Sequence, residues 1–264
     1  LRKGVNILSG INGIGKSTIL NRVVSALRSL RVVDGVLQPM SPGLHLEFVP
    51  SDAEELHFDV IRSFDRPMVQ AELVTQAGES EVRSELDWQL YQLQRKYLDF
   101  QVNMGNRMIE LLQRGDEEGR RLAAEVPVVK TRFLDIVDQL FAETGKKVMR
   151  KSNELRFEQQ MDFLGLYHGD GEGLSVQELS PYKLSSGEKQ MLIILLTALV
   201  QNQHPHVMLM DEPEISLHID WQQRLIGLIR ELNPNAQIIL TTHSPAMIMD
   251  GWLDSVTEVS DITH

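Results

Sequence analysis

The chain contains no cysteine. That excludes disulfides and thiolate-held metals, and a reducing cytoplasm is the expected setting. Long apolar runs are also missing. The longest, Met191 to Val200, falls short of the roughly 20 residues that cross a bilayer, so a membrane role would need a partner. Positive charge is scarce: 26 Lys and Arg against 37 Asp and Glu leave a net charge of −11. A pI near 5.2 argues against a generally basic nucleic-acid binder. Two small basic clusters, Arg95, Lys96 and Arg107, and Lys146, Lys147, Arg150 and Lys151, read as solvated faces of surface elements. A local contact with nucleic acid, direct or through a partner, stays open. No internal repeat, low-complexity linker, zinc spacing, Ser-His-Asp order or nuclease centre stands out. With 42% hydrophobic residues over 264 positions, the chain can bury one large core or two lobes.

What is present is a set of short motifs. Gly10-Ile-Asn-Gly-Ile-Gly-Lys16-Ser17 is a P-loop (Walker A). Val5 to Leu8 before it reads as a buried strand. Thr18 to Leu30 after it reads as a helix, with Leu20, Val23, Val24 and Leu27 on one face. That strand–loop–helix context is what a P-loop requires. Asn12, Gly13 and Gly15 lie in a loop whose backbone N–H groups turn inward on phosphate. The helix N-terminus adds free N–H groups. Lys16 would supply charge to the β- and γ-phosphates of ATP, Ser17 would ligate Mg²⁺, and Thr18 reaches toward the α-phosphate.

Val207-Met-Leu-Met210 is apolar throughout, as suits a strand buried on both faces of a parallel sheet. Asp211 and Glu212 follow at its C-terminal end, where ligands bind in open α/β sheets. Adjacent carboxylates there are costly without compensation. Asp211 fits a Mg²⁺ partner, and Glu212 fits a base that positions or deprotonates the attacking water. Gln237 to Thr241 reads as the next buried strand. His243, just beyond it, is placed to meet the γ-phosphate or that water. His45, His57, His168, His204, His206 and His264 have no such context and read as ordinary.

Leu184-Ser-Ser-Gly-Glu-Lys-Gln190 resembles the signature of ABC-class ATPases. With the P-loop, Asp211-Glu212-Pro213 and Thr241-Thr-His243-Ser-Pro245 it forms that class's full set in order. The spellings Asp-Glu-Pro-Glu-Ile-Ser-Leu-His and Thr-Thr-His-Ser-Pro are similar to the soluble branch, which holds SMC, RecF and OLD-like ATPases and small ATPases of bacterial anti-phage defence such as the Septu-type PtuA. The resemblance implies an α/β P-loop NTPase of ABC type, with a mixed sheet core flanked by helices. It implies a homodimer sandwiching two ATP, in which Ser185 and Gly187 contact the partner's ATP in trans. Ser186 stands where the class usually has glycine. Glu212 corresponds to the catalytic glutamate, His243 to the switch histidine, and Ser216-Leu217-His218 to the loop joining the two sites. It further implies a partner effector such as a nuclease. A RecF- or SMC-type DNA clamp is the alternative, and a transporter subunit a more distant one. The class normally places a strand pair before the P-loop strand, so some N-terminal residues, including the adenine contact, are expected ahead of Leu1. The glutamine loop is not assignable among Gln38, Gln70 and Gln76.

Between P-loop and signature, Leu44 to Val49 reads as a strand and Ser51 to Gly78 has no clear period. Leu86, Leu90, Leu93, Tyr97, Phe100, Met104, Met108 and Leu111 step by threes and fours, predicting a helix over Ser84–Arg114. Gly115-Asp-Glu-Glu-Gly119 breaks it. Phe133, Ile136, Val137, Leu140 and Phe141 mark another helix. Glu154 to Glu158 and Leu174 to Gln177 read as short strands. The expected organisation is an ATPase lobe over 1–83 and 146–264, with a helical arm over 84–145.

Overall fold

The structure, a computed structural model, describes residues 4–33, 36–40, 46–48, 55–63, 81–161, 175–249 and 251–261. The chain divides into two compact units, Leu1–Phe64 with Gln203–His264, and Asp65–Asn202. These boundaries differ from those expected of the sequence, because the signature helix packs with the helical segment.

In the first unit, five parallel strands form one sheet. They are β1 (Val5–Ser9), β4 (Phe58–Arg62), β8 (Val207–Asp211), β9 (Gln237–Thr242) and β10 (Val256–Glu258), in the order β10-β1-β9-β8-β4. All five residues of β1 and the first four of β8 are buried, which matches their unbroken apolar runs. Helix α1 (Lys16–Arg28) presents Leu20, Val23, Val24 and Leu27 to Val207, Leu209 and Ile239. Each such buried side chain is worth about 1.5–3 kcal/mol. A crossover helix, α6 (Ile219–Leu232), joins β8 to β9, and α7 (Ala246–Met249) follows β9. Where a mixed sheet is expected, the core strands described are parallel throughout. Parallel neighbours need such crossovers rather than tight turns. Among the described strands, antiparallel pairing occurs in the hairpin of β2 (Leu30–Val33) and β3 (Val36–Pro39) and in a small sheet in the second unit. Of the strand expected over Leu44 to Val49, the described residues 46–48 are not in a strand and the rest lies outside the described residues; Ser51 to Gly78 lies outside them in large part.

The second unit is built on α2 (Glu85–Gln113), close to its expected bounds. Ser84 caps it through a capping box with Asp87, which satisfies two otherwise orphaned N–H groups. Leu86, Leu90, Leu93, Tyr97 and Phe100 are buried, while Met104, Met108 and Leu111 are half-buried. Next come α3 (Glu117–Glu125) and α4 (Val128–Leu140), whose Phe133, Ile136, Val137 and Leu140 are buried as their spacing predicts. Strands β5 (Lys146–Val148), β6 (Phe157–Met161) and β7 (Ser175–Leu179) pair antiparallel in that order. The Gly-rich turn between β6 and β7 falls outside the described residues. Helix α5 (Ser186–Val200) is buried on every side from Glu188 to Leu199 and packs on α2 and α4. An all-round apolar helix must be enclosed, and here α2 and α4 enclose it.

Helix α3 was not legible as a helix, since Gly115 to Gly119 reads as a break. Asp116 is in fact its N-cap, accepting from the Gly119 N–H at 2.6 Å. A Cβ on Gly119 would clash with the Leu111 carbonyl oxygen. Gly119→Ala is therefore expected to destabilise this unit by about 1–3 kcal/mol, the usual cost of overpacking. Denaturant unfolding followed by circular dichroism checks it.

Candidate functional site

The parallel register sets the site. It places Ser9 opposite Thr242, and Asp211 opposite Thr241. The loop after β1, the acidic end of β8 and the segment after β9 thus leave the sheet on one edge. In the loop, Gly13 and Gly15 have φ of +85° and +104°, a left-handed backbone that favours glycine. Gly15 is the N-cap of α1, and Lys16 is its first residue.

Lys16 is only 4% exposed. Its ammonium folds back across the loop, donating to the carbonyls of Gly10 at 2.8 Å and Ile11 at 3.2 Å. It lies 3.8 Å from Glu212 Oε1. The Ser17 hydroxyl donates to Asp211 Oδ1 at 2.9 Å. Thr241 Oγ1 donates to the same oxygen at 2.5 Å and accepts from the Glu212 N–H at 3.0 Å. Ser63 Oγ donates to the Asp211 carbonyl at 2.9 Å. Glu212 has φ of +47°, a strained value for a non-glycine residue, of the kind that clusters at functional sites. Its N–H also reaches the Thr241 carbonyl at 3.1 Å, so β9 holds the turn. His243 Nδ1 lies 3.5 Å from Glu212 Oε1 and 3.5 Å from Glu214 Oε1. Lys16, Ser17, Asp211, Glu212 and His243 are therefore one cluster, drawn from three separate stretches of chain. Asn12 and Thr18 are exposed beside it.

The residues fit a nucleotide with a divalent cation. Ser17 Oγ and Asp211 Oδ1 are hard oxygen donors of the kind Mg²⁺ takes. Among the described residues no group of three or more His, Asp or Glu could hold a metal alone. That suits Mg²⁺, which is held by one or two carboxylates together with substrate phosphates. Loop glycines and the α1 N-terminus offer N–H groups to those phosphates.

Ser185 and Gly187 belong to the second unit, at the start of α5. Ser185 is exposed and Gly187 half-buried. The rest of the signature is structural. The Ser185 N–H donates to Glu188 Oε2 at 2.9 Å and the Ser185 hydroxyl accepts from the Glu188 N–H at 3.3 Å. Glu188 also takes Lys146 Nζ at 2.8 Å and Thr144 Oγ1 at 2.8 Å. Lys189 pairs with Asp87 at 2.8 Å. Lys146 is thus mostly buried in an ion pair, not on a solvated face. Arg150 pairs with Asp135 at 2.8 Å and Asp138 at 2.5 Å. Of the glutamine-loop candidates, Gln38 lies exposed on β3; Gln70 and Gln76 lie outside the described residues.

The sequence reading missed Glu214, which is 4% exposed and grips the segment bearing His243. Its available signal was a third acidic residue just past the buried strand, in a turn also containing Pro213.

Residues 116–250, just over half of the chain, match the family model described as "AAA domain, putative AbiEii toxin, Type IV TA system". The chain belongs to the AAA_21 family. Its relatives within reach of sequence comparison are diverse. It is 26% identical over 98 residues to "Retron Vc95 probable ATPase" of Vibrio cholerae serotype O1 biovar El Tor, covering 33% of this chain and 19% of that protein. It is 50% identical over 42 residues to "Septu protein PtuA" of Bacillus thuringiensis, covering 16% and 11%. It is 33% identical over 115 residues to "Phosphate import ATP-binding protein PstB" of Mycobacterium intracellulare, covering 43% and 38%. The matched segments thus span well under half of each relative's length. No described helix of this AAA_21 protein is long and apolar enough to cross a membrane.

Proposed function

We propose that this protein binds and hydrolyses ATP, with Mg²⁺, as an ABC-type switch that closes as a homodimer. The observation that carries the reading is the convergence of Lys16, Ser17, Asp211, Glu212 and His243 on one edge of a parallel sheet. Lys16 pairs with Glu212 at 3.8 Å and is positioned to exchange that partner for a γ-phosphate. Ser17 and Asp211 would hold Mg²⁺, which would supply neutralisation of the phosphate charge. Glu212 is the base toward the attacking water, and His243 Nδ1 stands 3.5 Å from its Oε1. The start of α5, where Ser185 is exposed and Gly187 half-buried, suits contact with the ATP of a second copy.

The biological setting proposed is anti-phage defence, in which ATP state governs a partner effector such as a nuclease. Similarity to the retron ATPase and Septu PtuA supports this. A transporter role is the second reading, favoured by the PstB similarity. Native mass spectrometry with ATP and Mg²⁺ separates them: an ATP-dependent dimer carrying a soluble nuclease supports the first, and a membrane partner the second. Ser185→Arg should leave ATP binding intact and abolish the ATP-dependent dimer. Unchanged dimerisation and turnover would sink the trans site.

A further inference from the structure

Glu214 has no part in the chemistry assigned above, yet it is among the most constrained side chains of the site. One oxygen, Oε1, gathers three groups. The Thr242 hydroxyl donates to it at 2.5 Å and the His243 N–H at 3.1 Å, and His243 Nδ1 faces it at 3.5 Å. The other oxygen, Oε2, is buried with no hydrogen-bond partner among the described residues. A buried, half-satisfied carboxyl costs stability, so its retention calls for a reason beyond packing.

The surrounding network fixes its direction. Thr242 Oγ1 accepts from the Ser244 N–H at 3.0 Å, which leaves its proton for Glu214. Ser244 Oγ donates to Gln222 Oε1 at 2.7 Å, and Gln222 Nε2 donates to the Leu217 carbonyl at 2.9 Å. Glu214 is therefore anchored to the loop before α6 and to the segment after β9 together. His243 Nδ1 faces carboxyl oxygens on two sides, Glu214 Oε1 and Glu212 Oε1, each at 3.5 Å. A nitrogen so placed carries the ring proton, because a bare lone pair there would face only acceptors.

We propose that Glu214 is the positioning residue of His243: it holds the imidazole in the Nδ1–H tautomer and directs that proton toward Glu212. A carboxylate fixing the tautomer of a working histidine is a general device. Nε2 is thereby left as an acceptor, suited to a proton of the attacking water rather than to a phosphate oxygen. The step rests on the ATPase reading, but its first test does not. Long-range ¹H–¹⁵N correlation on the full wild-type chain reads the tautomer of His243 directly; Nδ1–H is expected, and Nε2–H overturns the proposal even if ATP is hydrolysed normally.

Kinetics supply the second test. Glu214→Leu, which removes the acceptor at similar length, should lower kcat about 10- to 100-fold and leave KM for ATP nearly unchanged. His243 should lose its single tautomer in that variant. Glu214→Gln keeps an oxygen for the three groups and should restore most of both. Glu214→Leu combined with His243→Gln should be no slower than His243→Gln alone, since the two act through one ring. Effects that multiply, or a Glu214→Leu variant with wild-type kcat and tautomer, overturn the proposal. A wild-type chain that hydrolyses no ATP would instead sink the functional reading and leave the tautomer measurement standing.

Discussion

Glu212→Gln is expected to slow ATP hydrolysis by about 10² to 10⁴-fold, the contribution of a positioned general base. That corresponds to about 3 to 5 kcal/mol of barrier at 1.36 kcal/mol per tenfold. ATP binding should survive, because the binding groups sit elsewhere. The loop N–H groups, Lys16 and the Ser17–Asp211 pair do not rely on the Glu212 charge. Lys16 in fact loses a competing anion 3.8 Å away, so ATP affinity should hold or rise. With binding intact and turnover blocked, ATP-bound dimers should accumulate. Single-turnover kinetics and size-exclusion chromatography with ATP read both halves. Hydrolysis at the wild-type rate would show that Glu212 is not the base. The backbone makes the position demanding in a second way. Its φ of +47° is held by two bonds from the Glu212 N–H to Thr241, so a side-chain change that keeps the length tests chemistry rather than the turn.

The largest stability effect is expected at Glu188, a signature residue that works as a structural hub. Its carboxyl caps α5 and accepts from Lys146 and Thr144. Glu188→Ala leaves the Lys146 ammonium mostly buried without its partner and removes half of the capping box. Breaking a buried pair from one side costs about 3–5 kcal/mol. Replacing both partners, Glu188→Gln with Lys146→Met, should recover much of that loss, since no charge is stranded. Urea unfolding of the single and double variants decides it; a Glu188→Ala loss below about 1 kcal/mol would place the pair among weak surface bridges.

The same hub predicts a pH dependence. Burial works to raise the Glu188 pKa, but the Lys146 ammonium, the Ser185 N–H and the Thr144 hydroxyl outweigh it and hold it below the usual glutamate value. The unfolded chain therefore takes up this proton before the folded one does. Stability from the hub is fully present above the unfolded value and is lost as pH falls through the folded value. Acid unfolding of wild type should consequently be steeper over that window than acid unfolding of Glu188→Gln.

The nucleotide half of the site was legible because its chemistry is local. A glycine loop and lysine ahead of a helix, an apolar run ending in two acids and a histidine past a second apolar run each declare themselves in under ten residues. Strands β1, β8 and β9 and helices α1, α2 and α4 were legible for a related reason: their faces are buried on one or both sides, so the apolar period is strong. Helix α3 was hidden by two glycines and an Asp cap, and β5 was too short to carry a period. Glu214 was hidden because nothing in an Asp-Glu-Pro-Glu string says which acid is buried.

The sequence alone determined that a P-loop, an acidic pair after an apolar run and a stretch resembling the ABC signature are present, since these are contiguous patterns of residue types. The tertiary structure decided everything that depends on strands meeting. Parallel register puts Asp211 beside Thr241 and Ser9 beside Thr242, and so makes one site from three segments. Packing, in turn, set Glu188 and Lys189 in buried ion pairs with Lys146 and Asp87. It also turned Glu214 inward against His243. Burial and partner choice are long-range properties, set by which surfaces enclose a residue, and no local pattern encodes them.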